Sequence, residues 1–256
     1  PARAVAVAWT GASGLAYGVR LVEVLLACGR DVDLVVSSAV AQTAPIELGL
    51  EPDAVVAALA AARPVPVVPG ESPRPVATAE TGAGAPPGAA GPPRPGRLRR
   101  WDERDFSSPM ASGSARGGAL VVCPCSMGTA ARIAAGTSET LLLRAADVCL
   151  KERRPLVLVP REAPLATHHL ENLATLSARG ALIIPAAPGF YHRPRGVGEL
   201  VDFVVQRVCD HLDVPAALVA RWDGGGGSGG GPDGSPDGGT GGGTGGGSGS
   251  GGGGGR

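Results

Sequence analysis

The sequence predicts an α/β fold: a single-domain, three-layer αβα sandwich, Rossmann-like or flavodoxin-like, around one parallel sheet. Two observations carry that expectation. Five short apolar runs, at residues 4–9, 32–36, 119–123, 156–159 and 181–184, alternate with longer stretches of helical period. The central runs are apolar throughout rather than at every second residue, as strands are when helices cover both faces of a parallel sheet. In such sheets ligands sit beyond the carboxyl ends of the strands.

The elements follow in order. Residues 4–9 predict the first strand and 10–14 the turn after it. A helix over 15–28 places Leu15, Val19, Val22 and Leu26 on one side, and Gly29 stops it. The second strand, 32–36, ends at Ser37-Ser38, and helical patterns cover 39–48 and 53–62. A loop through Asp105, Phe106 and residues 111–114 leads into the central strand, 119–123. Residues 124–129 turn sharply into two helical patterns, and the strand at 156–159 runs into Pro160-Arg161-Glu162-Ala163-Pro164. A helix over 165–179 ends at Gly180, the fifth strand covers 181–184, and a loop over 185–194 precedes an amphipathic helix at 197–212.

The 42 glycines and 24 prolines of the 256 residues are unevenly placed. Residues 63–100 are rich in Pro, Ala, Gly and Arg without a period and predict a disordered insertion. Residues 223–256 predict a flexible Gly-rich tail. Residues 1–62 and 101–222 are then one ordinary domain, large enough for a real core. Lys plus Arg and Asp plus Glu are 23 each, so no nucleic-acid surface is expected, and the Arg97–Arg104 cluster reads as solvated. No run is long enough for a membrane span, and the start lacks the basic and apolar regions of a signal peptide. Five cysteines (28, 123, 125, 149, 209) sit mostly inside apolar patterns and read as reduced core thiols of a cytoplasmic protein.

The first turn, Gly11-Ala12-Ser13-Gly14, lacks the dinucleotide pattern, and Ser37 stands where that pattern wants a ribose-binding acid. Ser37 reads either as a helix cap or, with Ser13, Ser126 and Thr129, as part of a mononucleotide phosphate site. Cys123-Pro-Cys125 lacks the second ligand pair of a zinc site, and adjacent His168 and His169 face different sides of a helix, so no metal is expected. A Cys–His nucleophilic pair has no local signature. Arg144, Lys151 and Arg161 flank the central rim, and Arg207 lies on the last helix. Arg161-Glu162, directly after a buried strand, points at a ligand. Glu47, in an apolar segment, stays open between a helix-surface residue and an acid facing the pocket.

Seven segments together resemble the UbiX-type flavin prenyltransferases: residues 10–14, 111–114, 123–129, 144–147, 151–164, 169–172 and 188–192. The run from Lys151 to Pro164 is the most specific. The resemblance covers residues 4–62 and 105–222; the 63–100 stretch is longer and more proline-rich than is usual in the family, and Phe106 stands where some members carry a tryptophan near the flavin.

The resemblance implies transfer of a dimethylallyl group from dimethylallyl monophosphate to N5 and C6 of reduced FMN. The prenylated FMN serves a UbiD-type decarboxylase, and members assemble as homododecamers with sites built at subunit contacts. FMN would be held by Gly11, Ala12, Ser13, Ser37, Ser126, Met127, Gly128, Thr129, Arg144 and Arg161. Tyr191, Arg207 and Lys151 would hold the prenyl phosphate, and Ser13, Glu47, Glu162 and Lys151 would surround the reacting centre. Cationic and phenolic donors would stabilise the departing phosphate without a metal, and Glu162 or that phosphate would accept the C6 proton. A flavin-dependent cysteine decarboxylase (pantothenoyl or peptidyl) shares the fold, but it carries a Pro-Ala-Ser-Ala-Asn-Thr motif and an earlier histidine; here residues 111–114 read Ala-Ser-Gly-Ser and no histidine precedes His168. A non-catalytic FMN-delivery subunit would have no use for Glu162 and Tyr191 together.

Overall fold

The computed structural model describes residues 4–78, 94–115 and 117–220. Its six strands are β1 (Val5–Trp9), β2 (Val32–Val36), β3 (Leu98–Trp101), β4 (Leu120–Cys125), β5 (Leu156–Pro160) and β6 (Leu182–Ile183). They form one sheet in the order β3-β2-β1-β4-β5-β6, with every pairing parallel. Helices α1 (Leu15–Ala27), α2 (Val40–Leu48), α3 (Pro52–Ala60) and α7 (Val197–His211) share one apolar core. The other core is made by α4 (Met127–Ala135), α5 (Leu141–Lys151) and α6 (Thr167–Ala178). This is the expected three-layer sandwich. The chain changes faces between β1 and β4, so the crevice beyond their carboxyl ends is where this architecture takes a ligand.

Local chemistry explains the central elements. Every residue of β4 and β5 is buried, which requires helices on both sides. Gly18 lets α1 lie close to the sheet: a Cβ there would stand 2.3 Å from the Cys123 carbonyl and 2.8 Å from the Trp9 indole. All five cysteines are buried.

The expectation of disorder over 63–100 is corrected for its described parts. Residues 98–101 are a sixth strand at the sheet edge, paired with β2. Backbone pairing does not depend on apolar side chains, and arginines are what guard an edge strand. Before it, Gly96 N–H donates to the Leu26 carbonyl at 2.8 Å. A Cβ at Gly96 would meet the Arg30 carbonyl oxygen at 2.0 Å, so the approach needs glycine. Val65 and Thr78 are buried, and Thr78 bridges to Ala216.

Arg74 adds an ionic tie, donating through Nε to Asp202 Oδ2 on α7 at 2.7 Å. Asp202 Oδ1 accepts from Arg20 Nε at 2.7 Å, and the Arg20 guanidinium also donates to the carbonyls of Arg74 and Pro75. A buried arginine with each group engaged holds this proline-rich stretch against α1 and α7, where composition alone indicated a free chain. Residues 79–93 and the tail expected at 223–256 lie outside the described residues.

Candidate active site

Three side chains knit the strand ends together. Thr10, buried at the end of β1, donates through Oγ1 to the Pro124 carbonyl at 2.8 Å and accepts from Ser126 N–H at 2.9 Å. A hydroxyl can do both at once, and this one fixes where β4 hands over to α4. Ser126 then caps α4: its Oγ accepts from Thr129 N–H at 3.2 Å and lies 2.9 Å from Thr129 Oγ1. From the end of β5, Arg161 reaches past β4 and donates through Nε to the Ser13 carbonyl at 3.1 Å.

Beside this rim lies a cleft of about 310 Å³, with Thr10, Gly11, Ser37, Glu103, Ser126 and Thr129 among its lining. The residues that precede α2, α4 and α5, namely Ala39, Ser126 and Thr140, all line it. Three helix starts thus face one cavity, where the positive ends of their dipoles favour an anion, while Thr129 N–H is taken by Ser126 Oγ, Leu143 N–H by Thr140 Oγ1 and Leu141 N–H by the Glu103 carbonyl. Ser37 Oγ is buried there without a partner among the described residues. A buried hydroxyl left unpaired marks a place where a partner is missing.

The start of α1 is closed by contrast. Glu47 accepts from Gly14 N–H at 2.9 Å and from Leu15 N–H at 2.8 Å, so a carboxylate of the chain itself occupies the donors that a Rossmann-type turn offers to a pyrophosphate. Of the two readings the sequence left for Glu47, the geometry places its carboxylate against the Ser13 turn, where it caps α1.

The remaining expected residues are spread out. Gly11 and Ala12 sit in the first turn; a Cβ at Gly11 would stand 2.6 Å from Ala39 Cβ, so glycine lets the turn approach α2. Of the four hydroxyls expected around a phosphate, Ser37, Ser126 and Thr129 line this cleft, and Ser13 is exposed on the rim beside it. Met127 points into the core, leaving its main chain as the group available, whereas Gly128 is exposed with open space around it.

Arg144 does not line the cleft. It donates through Nε to the Ala111 carbonyl at 3.0 Å and pairs with Asp147 at 2.9 Å. Glu162 is exposed just past the rim, its Oε1 accepting from Ala163 N–H at 3.3 Å. Tyr191 and Phe203 pack edge to face, and His192 stacks on Phe203 at 5.3 Å. Arg207, one turn further along α7, pairs with Asp210 at 2.9 Å. Lys151 lies at the far end of α5 from Thr140, paired with Glu152 and lining a separate cleft with Arg153 and Arg179. One chain therefore does not bring Lys151 to the rim.

Sequence reasoning missed Thr10, Arg132, Glu103 and Thr140. Thr10 and Arg132 stand inside the recognised motifs or next to them and were open to notice; Glu103 and Thr140 reach the cleft only through the fold. The buried thiols are unsuited to nucleophilic work: burial pushes Cys125 up to about 12 and Cys149 up to about 11, so their reactive thiolates are scarce at neutral pH. Tyr17, beside Gly14, is also raised, by burial and by the nearby Cys123, against a lowering by Arg161.

Known proteins share both sequence and fold. The Flavoprotein family model matches residues 1–209. Flavin prenyltransferase UbiX of Pseudomonas aeruginosa is 43% identical over 222 residues, covering 85% of this chain and 93% of that protein. The crystal structure of AnUbiX in complex with FMN and dimethylallyl pyrophosphate superposes with a TM-score of 0.69 at 31% identity, over 88% of this chain and 99% of that one. The dodecameric FMN-dependent Ubix-like decarboxylase from Escherichia coli gives a TM-score of 0.66 at 33% identity, over 86% and 98% of the two chains. With the hydroxyl-lined cleft at the β1–β4 switch and these likenesses along most of its length, the chain belongs to the Flavoprotein family and, within it, to the UbiX flavin prenyltransferases.

Proposed function

We propose that this chain joins a dimethylallyl group from dimethylallyl monophosphate to N5 and C6 of reduced FMN, and that the product passes to a UbiD-type decarboxylase. The observation that carries the flavin part is the unpartnered Ser37 Oγ among three helix starts. Its hydroxyl and those of Ser126 and Thr129 fit a monoester phosphate, which needs several donors around one anion. Gly11 lines the cleft, Ala12 and the main chain of Met127 and Gly128 would complete the flavin's surround, and Arg161 holds the Ser13 turn. When bound, the reduced flavin supplies the nucleophile for the allylic carbon.

The chain's own groups do the rest. Tyr191 and Arg207 donate to the leaving phosphate, and such fixed donors favour the charge that develops as the C–O bond opens. Glu162, exposed at the rim, accepts the proton released on ring closure. Glu47 acts through the turn it caps, by setting where Ser13 stands. Lys151 serves a neighbouring protomer's site within a homododecamer, the assembly of the Escherichia coli relative. Ile46, Leu165, Leu170 and Phe190 are large apolar side chains left exposed by a single chain, in keeping with burial by such contacts. Arg144 is a support for the Ala111 segment rather than a flavin ligand.

The test is delivery. The protein is incubated anaerobically with reduced FMN and dimethylallyl monophosphate, the small molecules are separated, and they are added to an apo UbiD-type decarboxylase. Decarboxylation is expected. Activation by the diphosphate donor alone would overturn the choice of donor, and silence with both would overturn the function.

A further inference from the structure

We propose that Glu103 sets how tightly the cleft holds the flavin's phosphate, a negative charge built into an anion site so that the product made there can leave. The inference rests on the flavin reading above. Glu103 follows β3 and is half-buried. Its main-chain carbonyl accepts from Leu141 N–H at 2.7 Å, which fixes it against the first residue of α5. Its Oε2 accepts from Ser38 N–H at 3.2 Å, just ahead of α2.

Among the residues lining the cleft Glu103 is the one carboxylate. Thr10, Ser37, Ser38, Ser126, Thr129 and Thr140 bring hydroxyls, and Arg132 brings a cation. No described cation forms an ion pair with Glu103. It therefore opposes a phosphate twice: by like charge across the cavity, and by holding a main-chain donor that the phosphate would otherwise use.

Such opposition serves an enzyme for which the flavin is turned over rather than kept. Interactions made equally with substrate and product tighten both without lowering the barrier between them, and release often limits turnover. A carboxylate facing the phosphate loosens the unmodified and the modified flavin alike. Riboflavin, which has no phosphate, does not feel it.

The experiment is an equilibrium titration of the full-length protein with FMN and with riboflavin, using the native chain and Glu103→Gln. Glutamine keeps an acceptor oxygen for Ser38 and removes the charge. FMN should bind about tenfold more tightly to the variant, the size of one like-charge contact partly screened by water, while riboflavin stays within about twofold. The FMN gain should shrink as salt is raised. Equal gains for both flavins, or weaker FMN binding, would overturn the proposal by showing that Glu103 acts through the fold or as an acceptor for the flavin. If the native chain binds neither flavin, the flavin reading itself falls, and with it this inference. If Glu103→Gln does not fold, Glu103→Ala must give the same rise in FMN preference over riboflavin, and an unmoved preference refutes the assignment.

Discussion

The cleft at the β1–β4 switch and the charged cluster between α1, α7 and residues 71–75 both bury polar side chains, and they end in opposite states. In the cluster every group is engaged. Arg20 is 2% exposed and donates to Asp202, Glu23 and the carbonyls of Arg74 and Pro75; Asp202, equally buried, accepts from both Arg20 and Arg74. Burial pulls the Arg20 guanidinium down, yet Asp202 and Glu23 more than offset it, and its proton is held above the usual arginine range. In the cleft, Ser37 Oγ has no partner among the described residues, and three helix starts open onto the same space. Satisfied polar burial holds a chain together, whereas an open, hydroxyl-lined cleft leaves polar groups available to a ligand. The ionic cluster is thus read as structure and the hydroxyl cleft as function.

Two substitutions probe that contrast, and the larger effect belongs to the cluster. Asp202→Ala removes the buried carboxylate that Arg20 and Arg74 share, leaving Arg20 with Glu23 and Arg74 with Glu199, so urea unfolding should show a loss of about 3 kcal/mol. The FMN affinity of the folded protein should stay within about twofold. A loss of flavin binding without a loss of stability would invert the roles of the two regions. In the cleft, Ser126→Ala combined with Thr129→Ala removes two hydroxyls and the cap of α4. Stability should fall by only about 1 kcal/mol, whereas FMN affinity should fall by about 10- to 100-fold for the two lost charge-assisted hydrogen bonds. An unchanged flavin fluorescence titration would remove this turn from the phosphate site.

The same contrast separates what was legible in the sequence from what was not. Strands β1, β4 and β5 announce themselves because burial on both faces demands unbroken apolar runs, and β2 does so with a single interruption at Asp33. Strand β3 reads Leu-Arg-Arg-Trp, and its place at the edge makes only backbone pairing necessary, so no apolar pattern marks it. Residues 71–75 are ordered by Asp202, 128 positions away from Arg74, a link that local composition does not encode. At the site, Ser126 and Thr129 were readable because a cap and its helix are neighbours in sequence. Glu47 was not, since its capped N–H groups lie 32 and 33 residues earlier. Glu103 and Thr140 reach the cleft from separate segments, and Lys151 looked like part of the rim only because it stands close to Arg161 in sequence, whereas α5 carries it to the other end.

The central claim is that the hydroxyl cleft and its rim alkylate the flavin they hold. The direct measurement is the mass of the flavin recovered after the protein is mixed, without oxygen, with reduced FMN and dimethylallyl monophosphate. The recovered flavin should be heavier by one dimethylallyl unit, formed only when protein and donor are both present, and its yield should fall for the Ser126→Ala, Thr129→Ala variant at subsaturating FMN. Recovery of unaltered FMN from a protein that demonstrably binds it would contradict the account and leave the chain a carrier of flavin.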